Sequence, residues 1–272
     1  MGCSPLMANQ TFRNLHAGPD LLLLPNAWDA GSARLIESLG AKAIASTSAG
    51  LAWSRGYPDG DALPIELLVA ATSEINRVIR VPLSIDIEGG YSNDPAVVAQ
   101  VVGSIIEAGA VGINIEDGAN PPDLLCAKIE SARKSATRAG VDLFINARTD
   151  VYLRALATGD EAVEEVVRRA ERYRAAGCDG LFVPGLADGS DIKAVATAID
   201  PLPLNIMLLP GLPTNDVLQT QGVRRLSTGS AIAQAVVDRA SQLATSFLAG
   251  AADEMFIAAV EYGAMNRLFP GA

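Results

Sequence analysis

A glycine that ends an amphipathic segment and precedes a short apolar run recurs along the chain, and this recurrence constrains the fold strongly. It stands in SLGAKAI, EAGAVGI, RAGVDLF and AAGCDGL. Glycine ends helices in the left-handed conformation, and a short apolar run after it is typical of a strand buried in a parallel sheet. The chain is therefore predicted to alternate helices with parallel strands throughout.

Eight strands are predicted from the apolar runs, with amphipathic segments between them. The strands are 21–25, 42–46, 82–87, 111–115, 142–147, 180–183, 203–207 and 224–228. The clearest helices are 63–79, 94–108, 122–138 and 160–176. Units of this kind close most economically into one α/β domain, a (β/α)8 TIM barrel over residues 1–272, and an open doubly wound sheet is the alternative.

The C-terminal part holds one helix more than a minimal barrel needs. Helical patterning covers residues 229–248 and again 251–268. A surplus amphipathic helix covers either a partner subunit or the end of its own barrel. Residues 229–272 are therefore predicted to make subunit contacts, with packing on the chain's own barrel as the alternative.

Composition limits the partners of this chain. Its net charge of −10 disfavours nucleic acid and anionic membranes, because both select basic patches. No apolar run reaches the roughly 18 residues of a membrane span. The three cysteines lack CxxC spacing, which argues against a disulfide framework. A small-molecule partner and a cytoplasmic location are predicted.

Three consecutive predicted strands become polar on one face towards their C-terminal ends. Strand side chains point alternately to opposite faces, and the apolar set of each strand is expected to pack under the helices. The other set then faces the barrel interior and includes Asp86, Glu88, Glu116 and Arg148. These side chains are predicted to meet at the C-terminal mouth, where barrels of this kind carry their active sites.

Three carboxylates beside one guanidinium leave excess negative charge at this mouth. An internal salt-bridge network is the alternative, but buried ion pairs contribute little net stability. A hard divalent cation would offset the charge, and oxygen ligands suit Mg²⁺, with Mn²⁺ as a substitute. The single histidine, His16, and the dispersed cysteines argue against zinc or a redox metal.

Two further features are predicted to lie at the same mouth. Arg148 can bind a substrate carboxylate or phosphonate at two points, and an ion pair with Glu116 can coexist with that role. Residues 46–60, STSAGLAWSRGYPDG, offer small residues whose N–H groups and hydroxyls can hold an oxyanion. Asp59 in this segment is a candidate fourth acid, with a solvated loop acid as the alternative.

In their order along the chain, these motifs resemble the isocitrate lyase/phosphoenolpyruvate mutase superfamily. The matching segments are LLLPNAWDAGSARLIESLGAKAI, TSAGLA with GYPDG, DIEGGY, GINIEDG, NARTD and GVRRLSTGSAIAQA, which span most of the chain. The resemblance implies a (β/α)8 barrel that forms a homodimer or homotetramer and exchanges its extra C-terminal helix with a neighbouring subunit.

The resemblance also implies a role for each acid. Asp86 would bind Mg²⁺ directly, while Asp59, Glu88 and Glu116 would hold metal-bound water. An enolate-like species stabilised by the metal is common to the family, whether the bond that breaks is C–C or P–C.

Substrate contacts are implied for a second group of residues. The N–H groups of Gly50 and Leu51, with a hydroxyl of Thr47 or Ser48, would bind the carboxylate of a 2-oxo acid, and Arg148 would bind the same substrate. Asn205 matches a polar position of the lyases that faces a second carboxylate. A structural hydrogen bond is the alternative for Asn205.

The loop after Glu116 departs from the family's known branches. EDGANPPDLLCAKIESARKSA runs almost directly into a helix and lacks the catalytic cysteine and histidine loop of isocitrate and methylisocitrate lyases. Cys126 is predicted to be a packing residue of that helix rather than a nucleophile. The lysine and polar pair of the mutase and phosphonopyruvate hydrolase are missing from this loop. FVPGLAD also lacks the mutase histidine.

The sequence therefore favours a Mg²⁺-dependent lyase that acts on a small 2-oxo (di)carboxylic acid or its 2-hydroxy adduct and cleaves a C–C bond through a metal-stabilised enolate. No side chain stands out as a general acid or base, so metal-bound water is the predicted proton carrier. The alternatives are a phosphonomutase or phosphonopyruvate hydrolase, and a catalytically weak protein that binds 2-oxo acids.

Overall fold

A computed structural model describes residues 12–257 and 259–269 of the 272-residue chain. The ends of the predicted domain, 1–11 and 270–272, lie outside the described residues, as does residue 258 within the predicted last helix. No helix in the described part combines the length and the apolar character that crossing a membrane requires.

Strands and helices alternate along the described chain as predicted. The strands are β1 Leu22–Leu24, β2 Asn26–Ala27, β3 Ile44–Ser46, β4 Leu83–Asp86, β5 Gly112–Glu116, β6 Phe144–Arg148, β7 Gly180–Val183, β8 Leu204–Met207 and β9 Val223–Ser227. The helices are α1 12–17, α2 Ala30–Ser38, α3 Ser48–Trp53, α4 Ile65–Val78, α5 Pro95–Glu107, α6 Pro122–Ala139, α7 Asp160–Ala176, α8 Gly189–Ile199, α9 Asn215–Thr220, α10 Ala231–Leu248 and α11 Tyr262–Arg267.

The first predicted strand, 21–25, contains β1, and a short strand that was not predicted, β2, follows directly after Pro25. Strand β1 pairs with β9, whereas β2 pairs with β3. The strands follow the order β1-β9-β8-β7-β6-β5-β4-β3-β2, and every neighbouring pair is parallel. Because β1 and β2 are consecutive pieces of one extended segment, the sheet forms the predicted (β/α)8 barrel rather than an open sheet.

Helix α1 closes the N-terminal end of the barrel, which the sequence did not indicate. Phe12 packs edge to face on Phe144 with ring centres 5.5 Å apart, and His16 stacks on the same ring at 4.1 Å. Gly112 makes room for this plug, since an added Cβ would lie 2.6 Å from Phe12 Cε1. The N-terminal end is thus packed with side chains, which leaves the C-terminal end for a site.

The tail differs from the predicted pair of long helices. Helix α10 matches the first, but the predicted helix 251–268 is wrong as one element: it consists of a 3₁₀ turn, Asp253–Phe256, and the short α11. The physical reason is that Gly250 leaves α10 with φ +87° and Glu261 is extended before α11. Arg34 Nε donates to Leu268 O at 2.8 Å, so the end of the tail reaches α2 of its own barrel.

Much apolar surface of the tail has no partner within the described chain. Along α10 only Ala233 is buried. The exposed apolar side chains of α10 and the segment after it are Val236, Val237, Phe247, Leu248, Phe256, Ile257, Val260 and Tyr262.

Candidate active site

A cavity of about 170 Å³ opens at the C-terminal ends of the strands. Its charged lining is Asp59, Asp86 and Arg148, and Asn114, Thr47 and Ser48 add uncharged polar groups. Two larger depressions, of about 470 and 540 Å³, lie around His16 and beside Leu23. Neither gathers the predicted acids, so the smaller cavity is the candidate site.

Asp86 ends β4 and lies on the floor of this cavity. Its N–H donates to Ser46 Oγ at 2.8 Å, and its Oδ1 accepts the N–H of Glu88 at 3.1 Å. Burial raises the pKa of Asp86, and the positive charge of Arg148 opposes that shift. A carboxylate in this position gains from any further positive charge that enters the cavity.

Arg148 is held by two carboxylates, one of which the sequence reasoning missed. Its Nη1 pairs with Glu116 Oε2 at 2.6 Å across adjacent strands, as the alternative reading anticipated. Its Nε and Nη2 bind the two oxygens of Asp150 at 2.7 and 3.2 Å. Asp150 has a buried side chain and lies two residues after Arg148, just past the end of β6, and its position in NARTD was the signal.

The pKa of Glu116 is shifted in the same direction as that of Asp86. Burial raises its pKa to about 8 against the pull of Arg148, and the charges of Asp86 and Asp150 act in the same direction as burial. Burial therefore outweighs the attraction of Arg148, and the neighbouring acids add to the effect of burial.

Glu88 joins two loops instead of continuing the strand. Its Oε2 accepts the N–H groups of Gly60 at 2.7 Å and Asp61 at 2.5 Å, and Tyr91 Oη donates to its Oε1 at 3.1 Å. Asp61 Oδ1 in return accepts the N–H of Tyr91 at 3.2 Å. We call Gly60, Asp61, Glu88 and Tyr91 the loop clasp. It fixes the loop that carries Asp59, which is exposed but lines the cavity.

The loop clasp concentrates unusual backbone conformations. Asp61, Glu88 and Tyr91 have φ values of +57°, +51° and +62°. Side chains other than glycine rarely take such values, which cost of order 1–3 kcal/mol each and cluster at functional sites. Burial raises the pKa of Glu88 to about 6, and the neighbouring acids Asp59, Asp86 and Asp61 add to that shift.

Of the residues predicted to hold a substrate oxyanion, Thr47 and Ser48 line the cavity, whereas Gly50 and Leu51 do not. Leu51 N–H donates to Thr47 O at 3.0 Å as a helical hydrogen bond of α3, so it is not available to a ligand. Gly50 is buried, and a Cβ there would lie 2.9 Å from both Thr47 Cγ2 and Trp28 Cβ. Thr47, Ser48 and Ala49 line the cavity.

Asn205 and Cys126 take structural positions. Asn205 does not line the cavity, and its Nδ2 donates to Ile206 O, Arg225 O and Ser227 Oγ at 2.8 to 3.2 Å. These contacts favour the structural alternative for this residue. Cys126 lies half-buried on α6, and burial raises the pKa of its thiol, which suits packing rather than nucleophilic attack.

Lys128 is a second cation near the acids that the sequence analysis missed. It is 3 % exposed on α6, and its Nζ donates to Gly89 O at 2.6 Å. Burial lowers its pKa, while the charges of Asp61 and Glu116 raise it. Its spacing from the buried Leu125 places it on the inward face of α6, and this spacing could have revealed it.

The described residues do not form a site in which several side chains coordinate one metal ion directly. Across residues 12–257 and 259–269, no three His, Cys, Asp or Glu side chains converge closely enough to bind one ion. Two carboxylates, Asp59 and Asp86, line the cavity, while Glu88 and Glu116 lie outside its lining. Such a set suits an ion that keeps most of its own water.

Comparisons with known proteins find relatives over most of the chain. An uncharacterised protein of Mycobacterium tuberculosis H37Rv is 38 % identical over 81 % of this chain and 82 % of its own length. An oxaloacetate decarboxylase of Bradyrhizobium diazoefficiens is 29 % identical over 82 % of this chain and 78 % of its own. A 2-methylisocitrate lyase of Bacillus subtilis is 27 % identical over 71 % of this chain and 64 % of its own length.

Solved structures share the fold over nearly the whole chain. A crystal structure from Burkholderia cenocepacia J2315, provisionally described as a phosphonomutase, is 38 % identical with a TM-score of 0.83 and covers 88 % of this chain and 99 % of its own. A phosphonopyruvate hydrolase in complex with oxalate and Mg²⁺ matches with a TM-score of 0.83 and 23 % identity. The match covers 96 % of this chain and 94 % of the hydrolase, which shows the fold. The family described as phosphoenolpyruvate phosphomutase matches residues 12–248. The chain therefore belongs to this family, within the isocitrate lyase/phosphoenolpyruvate mutase superfamily.

Proposed function

We propose that this protein is a Mg²⁺-dependent lyase that cleaves a C–C bond in a small 2-oxo (di)carboxylic acid or its 2-hydroxy adduct. The observation that carries the proposal is the small cavity in which a buried acid, Asp86, faces Arg148. Its volume of about 170 Å³ equals the share of about six liquid waters at ~30 Å³ each, which suits an acid of a few carbons.

The residues present fit a hard divalent cation. Burial and mutual repulsion raise the pKa values of Asp86, Glu88 and Glu116, so added positive charge would be stabilised there. Asp86 would hold the ion directly, while Asp59, Glu88 and Glu116 would act through water. The ion would supply positive charge to the enolate oxygen that develops as the C–C bond breaks.

Arg148 supplies the substrate contact that does not depend on a metal. Its guanidinium is fixed by Glu116 and Asp150, lies 5.9 Å from the centre of the Phe182 ring and faces the cavity. A guanidinium fixed in this way can bind a carboxylate without losing further side-chain freedom. Phe182, Pro184 and Met207 form an apolar wall that limits water around the substrate.

Activity assays should distinguish the proposed lyase from a phosphonomutase. Purified protein with Mg²⁺ is offered oxaloacetate, 2-oxoglutarate and their 2-hydroxy adducts, and carbon products are followed by chromatography. We expect EDTA or Asp86→Asn to abolish turnover, because either removes the ion. Metal-independent turnover, or an unaffected Asp86→Asn variant, would contradict the metal assignment.

A phosphonomutase is the second candidate, since the family description and the Burkholderia structure are of that kind. Phosphonopyruvate is therefore included in the same panel. Release of phosphate, or formation of phosphoenolpyruvate, without carbon-product release would favour this candidate. Binding of 2-oxo acids without any turnover would indicate a binding protein.

We further propose that the protein acts as a homodimer or homotetramer that exchanges C-terminal helices. Val236 and Val237 on α10 are 50 % and 59 % exposed, and a largely apolar depression of about 540 Å³ beside Leu23, Leu39 and Ile232 would receive a partner's helix. Light scattering should show an oligomer that Val237→Glu dissociates. Ala194→Glu on exposed α8 surface is the control. A monomeric wild type would contradict this proposal.

A further inference from the structure

Arg225, on β9, is a buried cation inside the barrel. It is fully buried, and its Nη2 donates to Asn114 Oδ1 at 3.3 Å, while its Nε and Nη1 have no hydrogen-bond partner among the described residues. No carboxylate of the described chain lies within ion-pair distance of it. Burial lowers its pKa to about 9, so it stays charged at neutral pH. A buried charge without a partner is costly, so stability alone does not account for Arg225.

The contact of Arg225 fixes the orientation of the Asn114 side chain. Asn114 Oδ1 also accepts a hydrogen bond from Asn146 Nδ2 at 2.9 Å. With the amide rotated by a half turn, the Asn114 N–H₂ group would face two donors, Arg225 and Asn146. The carbonyl oxygen therefore points to these donors, as the hydrogen-bond network requires.

The same network prevents Asn146 from turning away. Its Nδ2 donates a second hydrogen bond to Asn205 Oδ1 at 3.0 Å, and Asn205 is bonded in turn to backbone oxygens of β8 and β9. The three amides and Arg225 thus form one connected layer inside the barrel. The hydrogen bonds within this layer hold the three amides in one orientation.

The hydrogen-bond donor of this layer that remains available to a ligand is the Asn114 N–H₂ group. No group of the described chain accepts a hydrogen bond from it, and Asn114 is 4 % exposed and lines the 170 Å³ cavity beside Asp86, its neighbour in the sheet. Beside the Asp86 carboxylate, the cavity floor therefore presents a hydrogen-bond donor that is bonded in turn to the buried charge of Arg225. Such a floor favours an anionic oxygen and disfavours an amine or amide N–H.

We propose that Asn114 is a specificity-determining residue that donates to the deepest oxygen of the bound acid, and that Arg225 is the positioning residue that holds Asn114 in this orientation. The inference rests on the proposed function, because it assumes that a small oxo acid occupies the cavity. It adds that the site selects 2-oxo acids over their 2-amino counterparts.

Oxalate and oxamate provide the test, since they differ only by O⁻ against NH₂ at one end. Their dissociation constants are measured by calorimetry with Mg²⁺ present. Wild type should bind oxalate more tightly than oxamate. Asn114→Asp, which replaces the donor by an acceptor of the same shape, should lower this preference about tenfold or more, equal to about 1.4 kcal/mol.

Arg225→Met should also lower the preference, because the Asn114 amide can then rotate, and combining it with Asn114→Asp should add little. Arg225→Lys, which keeps the charge and one donor, should retain part of the preference and serves if the methionine variant does not fold. If the ratio of the oxamate and oxalate dissociation constants in Asn114→Asp stays within about twofold of the wild-type ratio, the specificity role of Asn114 is overturned, given the hydrogen-bond energies involved. A lower melting temperature with an unchanged ratio in the Arg225 variants would overturn the positioning role.

The two proposals can fail separately. If wild type binds neither oxalate nor oxamate with Mg²⁺, the proposed function itself is contradicted. If wild type binds oxalate and both substitutions leave the ratio unchanged, only the assignment of Asn114 and Arg225 is wrong.

Discussion

Acid should weaken the fold through His16, the single histidine of the chain. His16 is 3 % exposed, its Nδ1 lies 2.9 Å from Phe12 O, and its ring stacks on Phe144. Burial, assisted by the charge of Arg225, lowers its pKa to about 3. The folded state therefore keeps His16 neutral at a pH where the unfolded chain binds a proton.

The direction and size of the effect follow from this difference. A histidine with a depressed folded pKa leaves stability intact above the unfolded pKa of about 6.5, and stability is lost as pH falls from there towards the folded pKa. With one pKa unit worth about 1.36 kcal/mol, the loss amounts to about 2 kcal/mol at pH 5. It approaches its limit of several kcal/mol near pH 3.

Two measurements check the reasoning. Because the chain has one histidine, a single imidazole Hε1 resonance reports its titration in the folded protein by NMR. Urea unfolding of wild type and His16→Gln at pH 7 and pH 5 then gives the linked free energy, since the carboxylates titrate in both proteins. We expect wild type to lose about 2 kcal/mol more than the variant between these values. A folded-state titration near pH 6.5, or equal losses in both proteins, would refute the argument.

Three other perturbations have defined outcomes. Asp150→Asn should weaken oxalate binding with Mg²⁺ by about tenfold in calorimetry, because Arg148 loses its two-point anchor; unchanged affinity would show that Glu116 alone positions the guanidinium. Burial and neighbouring acids raise the pKa of Glu88 from 4.5 to about 6, so its ionisation lowers stability as pH rises from 4.5 to above 6; the melting temperature of metal-free Glu88→Gln relative to wild type should therefore be higher at pH 8 than at roughly pH 4, and an equal difference at both would argue against this effect. Gly112→Ala should cost about 1–3 kcal/mol in urea unfolding, because its Cβ would collide with Phe12, and a neutral result would mean that the plug can shift.

Strand alternation predicted the site as far as the strands extend. Asp86 and Arg148 are the last residues of β4 and β6, and Glu116 ends β5, so their common face followed from the sequence. Glu88 lies beyond the end of β4 with positive φ, where alternation no longer holds, and its contacts with the loop clasp therefore could not be predicted.

Long-range packing decided the features that the sequence left open. A Cβ on Gly89 would lie 2.9 Å from Asp61 Oδ2, and one on Gly90 would lie 3.0 Å from Val98 Cγ2, so both glycines are required by contacts with residues distant along the chain. The partners of Arg225 and Asn205 come from distant strands, so only the closed barrel reveals them. Local sequence patterns indicate helix and strand periodicity, but they do not indicate contacts between residues that are distant in sequence.

The break between β1 and β2 at Pro25 gives the barrel a seam beside the cavity. Asn26 bridges it: its Oδ1 accepts the N–H groups of Thr228 and Gly229 at 2.9 and 3.0 Å, and its Nδ2 donates to Ser46 O at 2.7 Å. Asn26 and Gly229 also line the cavity. Local opening of the seam would therefore dismantle one wall of the site. A ligand that binds there should slow hydrogen exchange at the Thr228 and Gly229 amides. Opening of the seam and dissociation of the ligand would then be thermodynamically coupled.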